Sequence, residues 1–230
     1  MGISVAALRR YPVKSMGGEA LETAVLDARG LKGDRWFAVE DDDGHFASGK
    51  NTRRFRRRDQ VFSYAATTAP SGEVVVAGPG GEWQVGDAGL DEELSTAMGV
   101  RVRIAPEGEV PHQDSGAVSL VGTATLAWCA ERWGISVDPR RLRVNLLLDT
   151  DEPFVEEQWV GRDIALGDVL LRGVQRLPRC RMVDLDQDGA RAEGRLLKPL
   201  TRERDMLLAV CADVVRTGVI RVGDAASTSP

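Results

Sequence analysis

A cysteine between two arginines is the feature of this sequence with the clearest chemical potential. The stretch LPRCRM places Cys180 between Arg179 and Arg181, two residues after Pro178. A nearby cation favours the thiolate, which is the nucleophilic form of cysteine and the form that binds soft metals. In an extended segment neighbouring side chains point to opposite faces, so the two arginines would not both lie against the sulfur. The residue types leave three roles open for Cys180: a thiolate nucleophile, a soft-metal ligand or a structural residue.

The other cysteines read as core residues. Cys129 lies on the apolar face of a helical stretch, and Cys211 lies inside the apolar run LLAVCADVV. Free cysteine is among the residue types most often buried. The three cysteines are widely spaced, which predicts neither a disulfide framework nor a CxxC zinc site. Two histidines are too few for a histidine-rich metal centre, and the sequence has no GxSxG motif of a serine hydrolase.

Several residues have the chemistry of an anion site. The stretch YPVKSMGG places Lys14 and Ser15 before two glycines, which offers an ammonium, a hydroxyl and flexible backbone N–H groups to an anion. GDRWF places Arg35 at the start of a predicted strand. RLRVN places Arg143 and Asn145 two residues apart, hence on one face of a predicted strand. Arginine binds phosphate oxygens with two parallel hydrogen bonds. Each of these residues, taken singly, is also consistent with a solvated surface position.

The composition limits the classes of partner. The chain has 230 residues, 43% of them hydrophobic and 28% charged, which is typical of a globular protein. Its formal net charge of −5 argues against a nucleic-acid partner bound by general basicity. No window approaches the roughly 18 consecutive apolar residues of a membrane helix. The first residues lack a signal-peptide pattern. We therefore predict no nucleic-acid partner, no membrane association and a cytoplasmic location.

Strands separated by turn-forming residues dominate the predicted secondary structure. Alternating or short apolar runs bounded by Gly, Pro and Asp clusters predict strands in both halves of the chain, with hairpins around DDDG and GPGG. A helix is predicted over 91–99, with Asp91 as N-cap and Gly99 as stop. The segment 194–205 reads as a short helix or a loop, and the tail 225–230 as disordered.

A further helix is predicted over TATLAWCAERWG, capped by Thr123 or Thr125 and ended by Gly134. The stretch APEGEVPHQDSGA is polar and lacks any period, which predicts a boundary near residues 106–117. The fold class that follows is mainly β with a few short helices, divided into domains at 1–110 and 111–226.

The order of several motifs resembles a known family. The stretch YPVKSMGGEALETAVLDARGLKGDRWFAVEDDDG resembles the N-terminal β-barrel domain that precedes MOSC domains. The stretch from RLRVN through W-x-G and LGD to PRCRM, with GVIRVGD near the end, resembles the MOSC domain itself. The resemblance covers roughly residues 1–225. Members nearest in kind are the amidoxime-reducing MOSC proteins, and the implied architecture is an N-terminal β-barrel-like domain packed on a MOSC β-barrel.

The resemblance implies a molybdenum cofactor, a pterin whose dithiolene holds Mo and whose side chain ends in a phosphate. Cys180 would be the protein ligand to Mo and the catalytic residue. The other implied cofactor-binding residues are Lys14, Ser15 and Arg35 for phosphate and pterin, Arg143 and Asn145 as the R-x-N pair, and Thr123 before the helix. A soft thiolate suits Mo already held by two dithiolene sulfurs.

The chain departs from the family pattern at three places. Pro178 stands two residues before Cys180, where the family often has a small polar residue. Gly122 and Thr123 replace a Ser/Thr-acidic pair. The stretch KPLTRERDMLL has no match for a tyrosine that lies near the cofactor in some members. These departures predict an altered cofactor pocket.

The activity implied by the resemblance is that of an oxidoreductase. Such an enzyme would reduce small N-hydroxylated compounds such as amidoximes and hydroxylamines, with loss of the oxygen as water. The sequence has neither the cysteine spacing of a plant-type ferredoxin nor a dinucleotide fingerprint. We therefore expect a separate flavin or iron–sulfur protein as electron donor.

Two other classes of function stay open. In one, Cys180 carries a persulfide or holds the cofactor for delivery, since MOSC domains have been linked to sulfur transfer and, more loosely, to pyridoxal phosphate partners. In the other, the chain is a β-barrel binding protein without catalysis. Bound Mo that turns over with a reductant would distinguish the oxidoreductase from both of these alternatives.

Three further segments have alternative interpretations. TRRFRRRD (52–59) is a solvated charged face or a docking surface for an acidic redox partner or an anionic substrate. DEPFVEEQW (151–159) is a loop near the cofactor, by resemblance, or a plain surface loop. DLDQDG (184–189) lacks the acidic residue that would complete a calcium loop and predicts a hairpin turn.

Overall fold

The computed structural model describes residues 2–228 and is mainly β, as the sequence predicts. The α-helices are α1 (Ala88–Met98), α2 (Thr123–Trp133), α3 (Pro139–Leu142) and α4 (Leu197–Arg204). Short 3-10 helices span Asp59–Ser63, Val155–Trp159 and Arg181–Asp184. No helix within residues 2–228 is long and apolar enough to cross a bilayer.

The N-terminal half, here residues 2–106, contains eleven of the strands. They are β1 (Ser4–Arg10), β2 (Glu19–Leu21), β3 (Thr23–Asp27), β4 (Gly30–Leu31), β5 (Phe37–Asp41), β6 (Phe46–Ser48), β7 (Phe55–Arg57), β8 (Ala65–Thr68), β9 (Val74–Gly78), β10 (Gly81–Gln84) and β11 (Val102–Pro106).

The C-terminal half, here residues 118–228, contains the others. They are β12 (Val118–Gly122), β13 (Leu146–Asp149), β14 (Asp163–Leu166), β15 (Val169–Pro178), β16 (Leu207–Arg216), β17 (Gly218–Arg221) and β18 (Ala226–Thr228).

Sheet pairing joins the two halves of the chain. The largest sheet has eight strands in the order β18-β14-β15-β16-β12-β13-β1-β2, so the first two strands of the chain extend a sheet whose other six strands come from its second half. β1 runs antiparallel to β13, with Leu8 opposite Leu146. In return, β17 pairs with β3 of the N-terminal half. The domain limit at 110/111 stays a prediction, and strands from the two sides of this limit pair with each other.

Apolar side chains on the inner face of the eight-stranded sheet explain this pairing. Leu8, Leu120, Leu146 and Leu148 are all 1% exposed or less and belong to one hydrophobic cluster. Burial of a leucine side chain stabilises a fold by roughly 1.5–3 kcal/mol. Placing β1 beside β13 therefore buries the apolar face of both strands at once and fixes where the chain after β1 must run.

Three other hydrophobic clusters complete the core, the smallest of which consists of Ala38, Phe46 and Phe55. One packs α1 against the small sheets of the N-terminal half, with Leu90 and Leu94 fully buried against Val76 and Met16. Another lies beneath α2 and α4 and includes Cys129. Met16, six residues after β1, thus belongs to the N-terminal core while β1 belongs to the eight-stranded sheet.

Both predicted helix stops are confirmed, but the predicted starts are wrong. Gly99 and Gly134 end α1 and α2 in the left-handed conformation, with φ of 67° and 62°. α1 begins three residues before Asp91, after Asp87. The carboxylate of Asp91 instead accepts from the backbone N–H of Ile104, at 2.9 Å.

α2 has Gly122 as its N-cap, so neither threonine caps it. Thr123 is the first helical residue. The Thr125 hydroxyl is engaged elsewhere: it donates to Glu156 at 3.0 Å and accepts from the backbone N–H of Phe154 at 2.7 Å. A tertiary hydrogen bond therefore replaces the local one that the sequence pattern predicts.

The C-terminal segment is more ordered than its composition predicts. Ala226–Thr228 form β18, which pairs antiparallel with β14, so the prediction of disorder over 225–230 is wrong for these residues. Ser229 and Pro230 lie outside the described residues. The open alternative over 194–205 is settled in favour of a helix, α4.

Gly173 provides a test of the close contact between β15 and the preceding turn. A Cβ atom at this position would lie 2.2 Å from the carbonyl oxygen of Trp159. Gly173→Ala should lower the free energy of unfolding by about 1–3 kcal/mol, because backbone must move to make room. The urea unfolding midpoint measures this effect. Gly108→Ala is the matched control, because no atom lies within 4 Å of its added Cβ. Equal midpoints for the two variants would contradict the packing described here.

Candidate functional site

One cavity of about 410 Å³ collects most of the predicted site residues. Its walls come from both halves of the chain. The predicted residues that line it are Lys14, Ser15, Arg35, Arg143, Asn145 and Cys180. A cavity of this size is typical of small-molecule and cofactor sites.

Thr123, the remaining predicted site residue, does not line this cavity. Its hydroxyl lies 3.2 Å from a carboxylate oxygen of Asp149 and accepts from the backbone N–H of Thr150 at 3.0 Å. These bonds tie the start of α2 to the end of β13. Thr123 therefore has a structural role that its position before a helix did not reveal.

Cys180 is half-buried on the cavity wall, just beyond the end of β15. β15 pairs with β16 up to Pro178, with a register shift between Arg176 and Pro178, and the backbone N–H of Arg179 then donates to the carbonyl of Met206 at 2.7 Å. Cys180 itself is extended, with φ of −130°, and precedes the 3-10 helix Arg181–Asp184. The change from strand to helix at this residue turns the chain and leaves the thiol at the cavity.

The two arginines beside Cys180 have separate functions. Arg179 lies along the cavity wall and donates to the carbonyls of Leu208 at 2.7 Å and Leu142 at 2.9 Å. Arg181 points away and binds both carboxylate oxygens of Asp59, at 2.9 and 2.7 Å. The first arginine therefore places positive charge at the cavity, and the second ties the Cys180 segment to the N-terminal half.

Arg143 presents an unused guanidinium to the cavity. It is 8% exposed, and neither Nη1 nor Nη2 has a hydrogen-bond partner in the described part of the chain. Arg179 has one such nitrogen, Nη2. Burial, together with repulsion from the charge of Arg35, lowers the pKa of both arginines to about 10. Buried unpaired N–H groups are costly, so these donors fit an anionic ligand.

The sequence-based reason for placing Arg143 beside Asn145 is wrong. Arg143 is not in a strand. It follows α3 in the left-handed conformation, with φ of 54°, and β13 begins only at Leu146. Both residues nevertheless reach the cavity, because the turn after α3 carries them to it.

Tyr11 is a buried residue behind the cavity arginines that the sequence analysis missed. Its ring is fully buried and has guanidinium groups over it, from Arg143 at 4.3 Å, Arg35 at 5.0 Å and Arg9 at 5.8 Å to the ring centroid. A cation over a tyrosine ring is stabilised by the ring quadrupole, by about 2 kcal/mol or more when desolvated. Tyr11 thus holds together two cavity arginines that repel one another. Its position in YPVKS was the only available signal.

Three of the eight described non-glycine residues with positive φ line the cavity. Ser15, Arg35 and Arg143 all have positive φ, of 68°, 54° and 54°. A non-glycine residue in this region costs of order 1–3 kcal/mol and tends to occur at functional sites. The prediction that Arg35 starts a strand is wrong: Arg35 lies in the turn that precedes β5. Three strained residues that meet at one cavity support a ligand-binding role.

Arg35 and Asn145 build the cavity wall from the groups they already bind. Arg35 pairs with the buried carboxylate of Asp34 and donates to the carbonyl of Arg143 at 3.0 Å. The carboxamide of Asn145 accepts from the Ser119 hydroxyl at 2.9 Å and donates to the carbonyl of Arg9 at 3.3 Å. Their main contribution is to position Arg143 and the strands around it.

Lys14 lies at the part of the cavity nearest the segment between the two halves. Its ammonium donates to the carbonyl of His112 at 2.5 Å and to Asp114 at 2.9 Å, and Asp114 lies 3.5 Å from Lys50. Burial lowers the pKa of Lys14 to about 8, against the opposing effect of Asp114. Burial alone would raise the pKa of Asp114, but the two lysines hold it at about 2. The Ser15 hydroxyl next to Lys14 donates to the carbonyl of Ala47, at 3.0 Å.

The predicted boundary segment is itself a wall of the cavity. Residues 113–116 line it, although they belong to neither strands nor helices. Buried His112 anchors the segment: its backbone N–H donates to Glu107 at 2.6 Å, and its Nδ1 lies 3.1 Å from the carbonyl of Arg35. Burial lowers the pKa of His112. The polar composition predicted a domain boundary here, and tertiary contacts hold this boundary segment in place.

The other two thiols are buried, as predicted. Burial raises the pKa of Cys129 to about 12 and also raises that of Cys211. The sulfur of Cys211 lies 3.2 Å from the carbonyl of Ser115 and reaches the cavity wall. Cys180 is the most exposed of the three cysteines.

The remaining segments singled out in the sequence have structural roles, with one exception. Within 52–59, Arg57 and Arg58 pair with Asp59 and Asp41, but Arg54 lines the cavity. No residue of 151–159 lines the cavity; Glu156 is buried there, and burial raises its pKa. The predicted turn in 184–189 is confirmed as a tight turn closed by a bridge between Gln187 and Ala190.

The hairpin between β5 and β6 holds three possible metal ligands, Asp41, Asp43 and His45. The carboxylate of Asp41 is already engaged. It accepts from the backbone N–H groups of Asp43 at 3.1 Å and His45 at 2.8 Å, and from Arg58 at 2.7 Å. These bonds account for the cluster as a turn motif.

Two variants of Tyr11 test its role as a platform for arginines. Tyr11→Phe keeps the ring and removes a hydroxyl that has no partner in the described residues, so the free energy of unfolding should stay equal or rise. Tyr11→Leu removes the ring and should lower it by about 3 kcal/mol or more, from lost packing and lost cation–π contacts. Thermal and urea unfolding measure both. Equal destabilisation by the two variants would show that the hydroxyl, and not the ring, supports this site.

Comparison with known proteins identifies the family. The family model for the "MOSC domain" matches residues 99–227, and the family model for the "MOSC N-terminal beta barrel domain" matches residues 2–85. No curated protein sequence matches the chain significantly. The crystal structure of the YuaD protein from Bacillus subtilis is 14% identical, with 99% of this chain and 96% of that chain covered and a TM-score of 0.55. YiiM from Escherichia coli is 10% identical, with 100% and 69% covered and a TM-score of 0.44.

These matches confirm the predicted architecture, an N-terminal MOSC β-barrel domain followed by a MOSC domain. The likeness to YuaD supports the fold, over nearly the full length of both chains. MOSC domains are a family of molybdenum-cofactor-binding domains. Since the MOSC domain match covers more than half of the sequence, this chain belongs to the MOSC domain family.

Proposed function

We propose that this chain is a molybdenum-cofactor-dependent oxidoreductase that reduces small N-hydroxylated compounds. One observation carries the proposal. The half-buried thiol of Cys180 shares a cavity with Arg143, whose two terminal guanidinium nitrogens lack partners among the described residues, and with Arg179, which has one such nitrogen. A soft thiolate beside buried cations suits a metal cofactor that carries negative charge on sulfur, oxygen and phosphate.

The residues present fit such a cofactor. Cys180 would supply the thiolate ligand to Mo. Arg143 and Arg179 would donate to anionic oxygens with N–H groups that lack protein partners. Lys14 would add an ammonium. The Ser15 hydroxyl donates to Ala47 and keeps its oxygen as an acceptor, so its part is smaller than the resemblance implied.

Of the positions where the chain departs from its family, Pro178 lies at this site and Gly122 does not. Pro178 lines the cavity beside Leu177, two residues before the thiol, where it lacks the hydroxyl that a polar residue would offer. Gly122, the N-cap of α2, does not line the cavity. A Cβ atom added to Gly122 would lie against the carboxylate of Glu156. The altered polarity near Pro178 would change which substrates fit, not whether a thiolate can bind metal.

When bound, the cofactor supplies the redox chemistry that removes oxygen from an N–OH group. Reduction of N–OH to N–H with release of water consumes two electrons and two protons. Burial holds the pKa of Lys14 at about 8, so Lys14 is an ammonium at neutral pH that can exchange a proton at Nζ. The protein residues orient the substrate and maintain positive potential around the reacting group.

Electrons would come from a separate flavin or iron–sulfur protein. The sequence has no cysteine set for an iron–sulfur cluster and no dinucleotide fingerprint. A partly exposed thiol would equally suit a carrier of sulfur or of the cofactor, with a persulfide on Cys180. That alternative predicts no turnover with a reductant.

Cys180→Ala tests the metal ligand. In protein from a host that makes the cofactor, the variant should contain at least about tenfold less Mo than the wild type and should show no reduction of benzamidoxime with a chemical donor, because even outer contacts change metal affinity by 10–100-fold. Elemental analysis and oxidised-pterin fluorescence measure the content. Cys129→Ala, which removes a thiol outside the cavity, is the control. Wild-type Mo and activity in Cys180→Ala would overturn the assignment.

If wild type and Cys180→Ala both lack Mo and pterin, the carrier function gains support. Mass spectrometry would then show a persulfide on Cys180 as an increase of one sulfur atom. Neither Mo nor persulfide would favour a binding protein without catalysis.

Arg143→Gln tests the anion-binding guanidinium. Cofactor content should fall by about tenfold, because hydrogen bonds from a charged donor contribute roughly 1.5–3 kcal/mol. Thermal stability should stay the same or rise, because the cost of burying an unpaired charge is removed. Arg191→Gln, at an exposed position outside the cavity, is the control. Equal cofactor content in both variants would refute a role for Arg143 in binding.

A further inference from the structure

The entrance of the cavity carries more positive charge than its own carboxylate neutralises. Lys14, Lys50 and Arg54 surround the ring of Phe55, with distances of 5.1, 4.5 and 5.3 Å from their charged groups to the ring centroid. Asp114 is the one carboxylate among the described residues that line the cavity. It lies near both lysines but forms no ion pair with Arg54. Three cations and one carboxylate leave a net charge of +2 there.

Arg54 is held in place without a counter-ion. Its Nη2 donates to the carbonyl of Pro111 at 2.6 Å, and its guanidinium lies over two rings, Phe46 at 5.9 Å and Phe55 at 5.3 Å. Its Nε is buried without a partner in the described residues. A long side chain fixed by aromatic rings loses little further entropy when it binds an anion, so this arginine is pre-organised.

The exposure of these cations separates them from the deeper arginines. The side chain of Lys50 is 29% exposed and that of Asp114 is 44% exposed, whereas Lys14 is 7% exposed. Arg54 is half-buried. Lys50 and Arg54 therefore stand on the solvent side of Lys14, where a molecule that enters and leaves the cavity would meet them. A tightly held cofactor would meet the buried Arg143.

We propose that Lys50 and Arg54 form an anion subsite for the substrate, so that the preferred substrates carry a carboxylate or phosphate group remote from the atom that reacts. This inference rests on the proposed function and names the class of substrate. It also explains why Arg54 differs from the other arginines of TRRFRRRD, which pair with aspartates or face solvent. A docked acidic protein would use the outward Arg53 and Arg56, which do not line the cavity.

Three ligands that differ in one group test the subsite on the cofactor-loaded protein: benzamidoxime, 4-carboxybenzamidoxime and 4-phosphonobenzamidoxime. Isothermal titration calorimetry on the oxidised protein gives the dissociation constants without turnover. The wild type should bind at least one anionic ligand about tenfold more tightly than benzamidoxime. Arg54→Gln and Lys50→Gln should each reduce the ratio of the affinity for the anionic ligand to the affinity for benzamidoxime several-fold. Arg53→Gln, the neighbouring exposed arginine, should keep the wild-type ratio. The phosphonate and carboxylate ligands distinguish the two kinds of anion.

The possible outcomes separate this inference from the function on which it rests. Charge-selective binding without reduction of any of the three compounds would retain the subsite and overturn the reductase. Reduction with no preference for charge in the wild type would overturn the subsite and retain the reductase. A loss of Mo in Arg54→Gln would assign these cations to the cofactor and would also overturn the inference. A loss of the ratio in Arg53→Gln as well would show a general surface effect and overturn it.

Discussion

Burial of guanidinium groups without matching carboxylates is the constraint on which the rest of this structure depends. Arg143 and Arg179 retain unpaired N–H groups within the described chain, and desolvation lowers the pKa of each to about 10. Such an arrangement is unfavourable in an empty cavity and needs compensation from its surroundings. The protein provides part of it through the ring of Tyr11, and strained turns at Ser15, Arg35 and Arg143 maintain the geometry. An anionic ligand would provide the rest.

The exchange of strands between the two halves makes this compensation possible. β1 leaves the N-terminal half to pair with β13, and β17 returns to pair with β3. Tyr11 and Lys14 follow β1 directly, so the pairing of one strand sets where both side chains lie. Arg181 and Asp59 add an ion pair across the same junction. The cavity is therefore a product of the interface, and neither half would form it alone.

The segment between the halves supplies a carboxylate to the cavity. Asp114 engages Lys14 and Lys50, and His112 anchors the segment against Arg35. A carboxylate at this place reduces the positive charge near the entrance while the deeper arginines stay unpaired. Different residues of one cavity can thus set the selectivity for a deeply bound cofactor and the selectivity for a substrate at the entrance.

The sequence by itself determined what depends on near neighbours. Apolar alternation gave the strands, glycines gave the ends of α1 and α2, and the arginines beside Cys180 marked the one thiol that is half-buried at a cavity. It failed where local patterns compete with distant contacts: Thr123 and Thr125 bind groups on other elements and cap nothing, and Arg143 reaches the cavity from a turn. Lys14 meets Asp114 across 100 residues, and Arg35 meets Arg143 across 108. Such pairs, and the role of Tyr11, were decided by tertiary structure alone, because strand pairing and core packing set distances that no local spacing encodes.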